Sequence, residues 1–317
     1  MAGKRFDVTC LGILVADVVI KPVTELPEPN TLLLIDACEL HNGGGVSNTG
    51  NALGRLGIRT AALGRMGCDG FATFLEGVLA DHDIYTGSIV RDEQLNTSST
   101  IVMVAPDGER AFYHYIGANA RFCLDDIDWD VVGASTYVHV AYPSLLPGLD
   151  GEPTVELMKK ARSLGAKTSV DPVRNINLDW GAFMKPYFPH MDVFLPSYDE
   201  AVDISGLTEP SDIARSFLDQ GVGFVGIKMG EEGCYLNNGR AEVSLPSFQV
   251  EPVDTTGAGD AWVAGVLTGL VKGWDLDRTA RFANAMGGVV CLAMGASTGV
   301  RTMEEMESFL SDAPLRS

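Results

Sequence analysis

From about residue 130 onward, short β-rich apolar runs alternate with longer stretches whose apolar residues recur every three or four positions. The runs 136–140, 167–170, 192–195 and 224–228 predict strands, and 153–164 and 211–220 predict amphipathic helices between them. That alternation is the habit of a parallel sheet covered by helices on both faces. Asn237-Asn238-Gly239 predicts a hairpin turn, and further helices are predicted over 258–272, 276–294 and 302–310. The first part is patterned differently. The runs 15–20 and 32–38, and two strands flanking Pro106-Asp107-Gly108, predict antiparallel pairing in a small separate sheet. A small sheet interrupting an α/β domain commonly serves as a lid, here built from about 14–40 and 94–121.

Length and composition fit one large α/β domain, 1–317, with that small appendage: 317 residues, 46% hydrophobic, without repeats or low-complexity tracts. The net charge of −19 excludes a general nucleic-acid or anionic-membrane binder, since both need a basic face. A nucleotide would instead have its phosphates held locally, by backbone N–H groups at a helix start. Six dispersed cysteines without a CxxC pair predict reduced thiols and a cytoplasmic protein. The apolar run 8–16 is interrupted by Asp17 and followed by no cleavage pattern, so it predicts a buried first strand rather than a secretory signal. No run reaches the roughly 18 apolar residues of a membrane span.

The chemistry concentrates in Asp254-Thr255-Thr256-Gly257-Ala258-Gly259-Asp260, followed by a helix of small residues. Gly257, Ala258 and Gly259 carry no bulky side chain, so a ligand can approach the backbone while its N–H groups and the helix dipole form an anion hole. Asp260, in the first turn, is placed to orient an attacking hydroxyl and accept its proton. This segment resembles the C-terminal signature of the ribokinase-like (pfkB) carbohydrate kinase family. Gly43-Gly44-Gly45-Val46-Ser47-Asn48, continuing to Arg55-Leu56-Gly57, resembles that family's N-terminal signature. The resemblance covers about residues 6–310 and implies a three-layer fold with a β-lid, ATP and Mg2+ as cofactors, and a sugar or nucleoside as substrate.

Carried over residue by residue, the resemblance implies that Asp17, Gly44, Gly45 and Asn48 bind the substrate. Lys228, Gly230, Gly233 and Asn284 fall on the nucleotide side. Glu200 would organise magnesium through water, and Asp254, Thr256 and Ser297 resemble a monovalent-cation loop that points to potassium. The chain departs from the family pattern in two places on this side and one beyond it. Lys228 stands where relatives usually have Thr or Ser, which puts an ammonium near a phosphate oxygen or a solvated lysine at a strand end. Ser197 replaces an Asn three residues before Glu200, and Asp171-Pro172-Val173-Arg174-Asn175 reorders a substrate-contacting segment. A sugar-phosphate substrate would need cations, for which Arg121 and Arg174 are candidates. Exposed lid strands predict a homodimer through the lid.

Several rival patterns fail. Gly221 to Gly226 matches G-x-G-x-x-G but leads from a helix into a strand, the wrong order for a dinucleotide site. The chain has no P-loop run, and its histidines show no metal spacing. A non-catalytic binding protein of the same fold would be expected to show damage at Gly257, Gly259 or Asp260, all of which are intact.

Overall fold

The computed structural model describes residues 3–316. Eight strands form the main sheet, in the order Glu242–Leu245, Cys234–Asn237, Val225–Lys228, Val193–Phe194, Lys167–Asp171, Ser135–Ala141, Phe6–Gly12, Thr60–Leu63. From Val225–Lys228 to Thr60–Leu63 every pairing is parallel; the first two strands pair antiparallel, joined by the expected hairpin. Phe6–Gly12 and Ser135–Ala141 are buried at every position but one, the mark of strands covered on both faces. Val8 and Cys10 join one apolar cluster, with helices Ala258–Lys272 and Leu276–Val290. Leu11 and Val140 join another, with helices Glu152–Ser163 and Pro210–Leu218. The result is the three-layer α/β fold that the alternating pattern predicts.

The lid is a four-stranded sheet in the order Ala37–Gly43, Val15–Lys21, Ser99–Val104, Arg110–Tyr115. Two expectations need correcting there. The run 32–38 does not form a strand throughout: pairing begins at Lys21 opposite Ala37, while Leu32 and Leu34 stay 77% and 91% exposed. The partner strand ends where Pro22, without an N–H, could donate nothing to the ladder. Pairing is also not antiparallel throughout, since Val15–Lys21 runs parallel to Ser99–Val104. Between those two strands the chain passes through the main sheet, the long crossover that parallel neighbours require. The helix predicted over 276–294 ends at Val290, and residues 291–294 turn toward Gly295.

Candidate active site

Helix Ala258–Lys272 begins on Gly257, whose φ of 78° lies in the left-handed region. A Cβ there would overlap the carbonyl of Ala296, so the turn requires glycine. The Ala258 N–H bonds to Thr255 O at 3.2 Å and the Ala261 N–H to Gly257 O at 2.9 Å. The N–H groups of Gly257, Gly259 and Asp260 bond to nothing among the described residues and stand open at the positive end of the helix. These open N–H groups lie where the motif is expected to form an anion hole.

Asp260 is 4% exposed, not the solvated carboxylate that a first-turn position suggests. Asn48 Nδ2 donates to its Oδ2 at 2.9 Å, the Thr49 hydroxyl to its Oδ1 at 3.3 Å, and the Tyr142 hydroxyl lies 2.8 Å from both oxygens. Burial raises the Asp260 pKa, opposed by the Asn48 and Tyr142 hydrogen bonds and by the Lys228 charge. Behind Asn48 runs a relay: Ser297 Oγ donates to Asn42 Oδ1 at 2.7 Å, and Asn42 Nδ2 donates to Asn48 Oδ1 at 2.9 Å. One file of polar side chains thus joins the turn at 295–297 to the carboxylate.

On the strand side, Lys228 Nζ lies 2.5 Å from Asp171 Oδ1. The solvated reading of Lys228 is corrected: its side chain is 14% exposed and faces the anion hole beside Gly259. Burial pushes the Asp171 carboxyl up, with Lys228 opposing. Desolvation works against the Lys228 ammonium, yet the fields of Asp171, Glu200 and Asp260 carry its pKa upward. Glu200 Oε2 accepts from Ser197 N at 2.8 Å while Ser197 Oγ accepts from Glu200 N at 3.4 Å, a capping box at the start of helix Tyr198–Ser205. Ser197 is therefore the helix cap.

A cavity of about 550 Å³ opens over these groups, lined by Tyr142, Asp171, Glu200, Lys228, Gly230 and Gly233 among others. Asn284 also lines it, with its side chain fully bonded to the wall. Both of its amide protons go to the carbonyls of Leu245 and Pro246, and its oxygen accepts from the Trp262 indole. Asn284 fastens the cavity wall.

A second cavity, of about 230 Å³, lies beneath the lid between Asp17, His41, Asn42, Thr100, Arg110 and the turn at Gly295. A Cβ at Gly43 would strike the Asp17 carboxylate, so that acid rests on bare backbone. Burial pushes the Asp17 pKa up to about 6, against hydrogen bonding from Thr100 and the nearby His41. Gly44 has a φ of 83° and Gly45 packs on Ala141 and Tyr142, which seats Asn48 between Asp17's cavity and Asp260. Asp17, Gly44, Gly45 and Asn48 are thus gathered on the same side of the cleft as Asp260.

The side chains of the expected cation loop bond to one another and to the lid. Asp254 accepts from Thr256 N and Gly295 N at 2.9 Å, from the Thr256 hydroxyl at 2.7 Å and from Arg110 Nη2 at 2.7 Å. Arg110 also donates to the Thr256 hydroxyl, and Ser297 turns to Asn42. Despite desolvation, these donors, Gly295 and Thr256 foremost, hold the Asp254 pKa down at about 2. A guanidinium from the lid thus bonds to the loop at both Asp254 and Thr256. Arg121 and Arg174 are engaged elsewhere, with Gln94 and Asp203.

Sequence reasoning missed Asn42, Thr49, Arg110 and Tyr142 as site residues. Asn42 adjoins the glycine signature and was within reach of it. Tyr142, just past a predicted strand, carries no local signal beyond a backbone φ of 64° that only the structure reveals.

Comparison with known proteins agrees with this geometry. The profile of the pfkB family carbohydrate kinases matches residues 5–303. A probable fructokinase-3 from Arabidopsis thaliana is 29% identical over 294 residues, covering 86% of this chain and 84% of the relative. A 2-dehydro-3-deoxygluconokinase from Bacillus subtilis is 29% identical over 280 residues, covering 84% and 86%. The structure of Arabidopsis thaliana ribokinase with ribose and ATP superposes with a TM-score of 0.84 at 20% identity, covering 96% of this chain and 99% of that one. An E. coli protein solved with ATP and Mg2+ superposes equally well, at 0.84 and 23% identity, over 96% and 99%. The chain belongs to the pfkB family of carbohydrate kinases, and its enzyme class is ATP-dependent carbohydrate kinase.

Proposed function

We propose that this kinase transfers the γ-phosphoryl group of ATP to a primary hydroxyl of an uncharged sugar. The observation that carries this reading is the place of Asp260, beside open N–H groups on the larger cavity and joined through Asn48 to Asn42, which lines the smaller one. The sugar oxygen forms its bond to Pγ as the Pγ–O bond to ADP breaks. ADP leaves with that electron pair, and the hydroxyl proton passes to the Asp260 carboxylate. Asp17 orients the sugar from the lid side by charge-assisted hydrogen bonds, with Gly44, Gly45 and Asn48 forming the seat. ATP lies in the larger cavity along Gly230, Gly233 and Lys228.

Glu200 and Asp171 on the phosphate side are oxygen donors of the kind Mg2+ takes, and Glu200 would hold the ion through water. Bound there, it would neutralise charge on the phosphates. A sugar phosphate is disfavoured, because each arginine that could meet its charge already has an acidic or amide partner. Six free cysteines support a reducing, cytoplasmic setting, and no helix of the described residues is long and apolar enough to cross a membrane. The lid exposes Phe112 and Tyr113, 61% and 60% accessible, which supports a homodimer through the lid that sedimentation would detect.

The test is ADP release with ATP and Mg2+ over neutral sugars, sugar acids, sugar phosphates and nucleosides, against an Asp260→Asn control. Turnover on a neutral sugar, absent from the control, is the expected result. Turnover on nucleosides alone would replace the substrate assignment, and silence across the panel with ATP bound would favour a non-catalytic binder.

A further inference from the structure

Tyr142 follows the central strand Ser135–Ala141 and is held by its own N–H, which donates to Asp171 O at 2.9 Å. Its φ of 64° is a left-handed conformation that is unfavourable for a non-glycine residue. Such strain persists where the surroundings hold it, often at functional sites. What it achieves here is the aim of the hydroxyl, 2.8 Å from both oxygens of Asp260. Asn48 bonds to Oδ2 and Thr49 to Oδ1, while the phenol bridges both oxygens beside the cavity that Asp260 and Tyr142 line together. A substrate hydroxyl that gives its proton to Asp260 from that cavity competes with the Tyr142 hydroxyl for the same oxygens.

Resting on the assignment of Asp260 as base, we propose that Tyr142 is a positioning residue. In the empty enzyme it fills the place of the acceptor hydroxyl, orienting the base and shielding it from water until the sugar displaces it from one oxygen. The consequence is coupling. Without sugar, a water molecule at that place would deliver its oxygen to Pγ and its proton to Asp260, releasing ADP and phosphate to no purpose. The charged and titratable groups facing Asp260 are Lys228 and Asp171 from the neighbouring strands, Cys10 and Tyr142 itself, with Glu200 facing Lys228, Asp171 and Tyr142. Of these, Tyr142 alone donates a hydrogen bond to it.

The experiment compares wild type with Tyr142→Phe and with 3-fluorotyrosine at position 142, measuring ADP release with sugar across pH and without sugar. A hydroxyl that donates to the ionised carboxylate lowers its pKa. Tyr142→Phe should therefore move the acid limb of kcat/KM to higher pH, and the more acidic fluorophenol should move it lower. Sugar-free ADP release should rise about tenfold or more in Tyr142→Phe. Opposite shifts in the two variants are a readout that a merely structural tyrosine would not give. Acid limbs that stay in place overturn the positioning role, and an unchanged sugar-free rate overturns the shielding. Asp260→Asn separates the two assignments. If it keeps sugar-dependent turnover, the base assignment falls; if it loses turnover while Tyr142→Phe keeps the wild-type profile, this inference alone falls.

Discussion

The floor of the cleft and its lid are built on opposite terms. At the floor, Asp260 is enclosed by Asn48, Thr49 and Tyr142, and the file from Ser297 through Asn42 fixes Asn48 in turn. The lid strand Arg110–Tyr115 is exposed along its whole length, and Arg110 bridges from it to the Asp254 loop. Polar groups buried together hold a geometry because leaving any one unpaired costs about 1–3 kcal/mol. A sheet with few buried contacts belongs to the part of a structure that opens first. The floor is thus held by its own bonds, and the small sheet is the part more open to movement.

The largest effect should come from the centre of the floor. Asp260→Asn should reduce kcat by about 10²–10⁴-fold in steady-state assays, the usual worth of a general base. Stability should respond in the other direction with pH. The folded pKa of Asp260 is raised, so its ionisation costs stability as pH climbs from the unfolded value toward the folded one. The melting temperature of the variant, relative to wild type, should therefore be more favourable at pH 8 than at pH 4. A constant difference would mean that burial is not what sets this carboxyl. Gly257→Ala should come next, with turnover down about 10–100-fold and a lower melting temperature. The new Cβ meets Ala296, and the left-handed φ costs about 1–2 kcal/mol.

The same contrast governs what could be read from the chain. Gly257 to Asp260 announce themselves because an open helix start needs small residues consecutive in sequence, and helix 258–272 has the bounds its pattern predicts. Asn48 was legible for the same reason, lying inside the glycine signature. Tyr142 and Arg110 were not, because they meet Asp260 and Asp254 across 118 and 144 residues and nothing local marks either as polar machinery. Asn284 and Ser297 could be placed from the chain, but their bonding could not. Their polar atoms bond to Pro246, Trp262 and Asn42, which lie far away in sequence. The lid bounds slipped because apolar residues at 32–35 look like a strand whether or not a partner strand extends far enough to pair with them.

Asp17 tests the border between floor and lid. Its pKa of about 6 means that sugar binding should weaken as pH falls through 6, when the carboxylate gains a proton and loses its charge-assisted bonds. Asp17→Asn should raise the sugar KM about tenfold at pH 8 and flatten that dependence, with kcat changed much less. Because the folded pKa is raised, the substitution should also favour stability more at pH 8 than at pH 4, which melting curves would show. A fall in kcat matching that of Asp260→Asn would instead place Asp17 with the chemistry.

The smallest effect should follow loss of the lid's own anchor. Arg110→Ala removes an ion pair between a 30% exposed guanidinium and a 5% exposed carboxylate. Asp254 keeps its bonds from Gly295 and Thr256, so the loop and the anion hole beyond it should hold their shape. What changes is the closed lid's advantage over the open one. That should appear as a sugar KM raised about three- to tenfold, a kcat within about threefold of wild type, and faster proteolytic cleavage in the lid strands. A kcat lowered as far as in Gly257→Ala would show that Arg110 shapes the anion hole through Thr256. The lid would then be part of the floor, and the contrast between them would not stand.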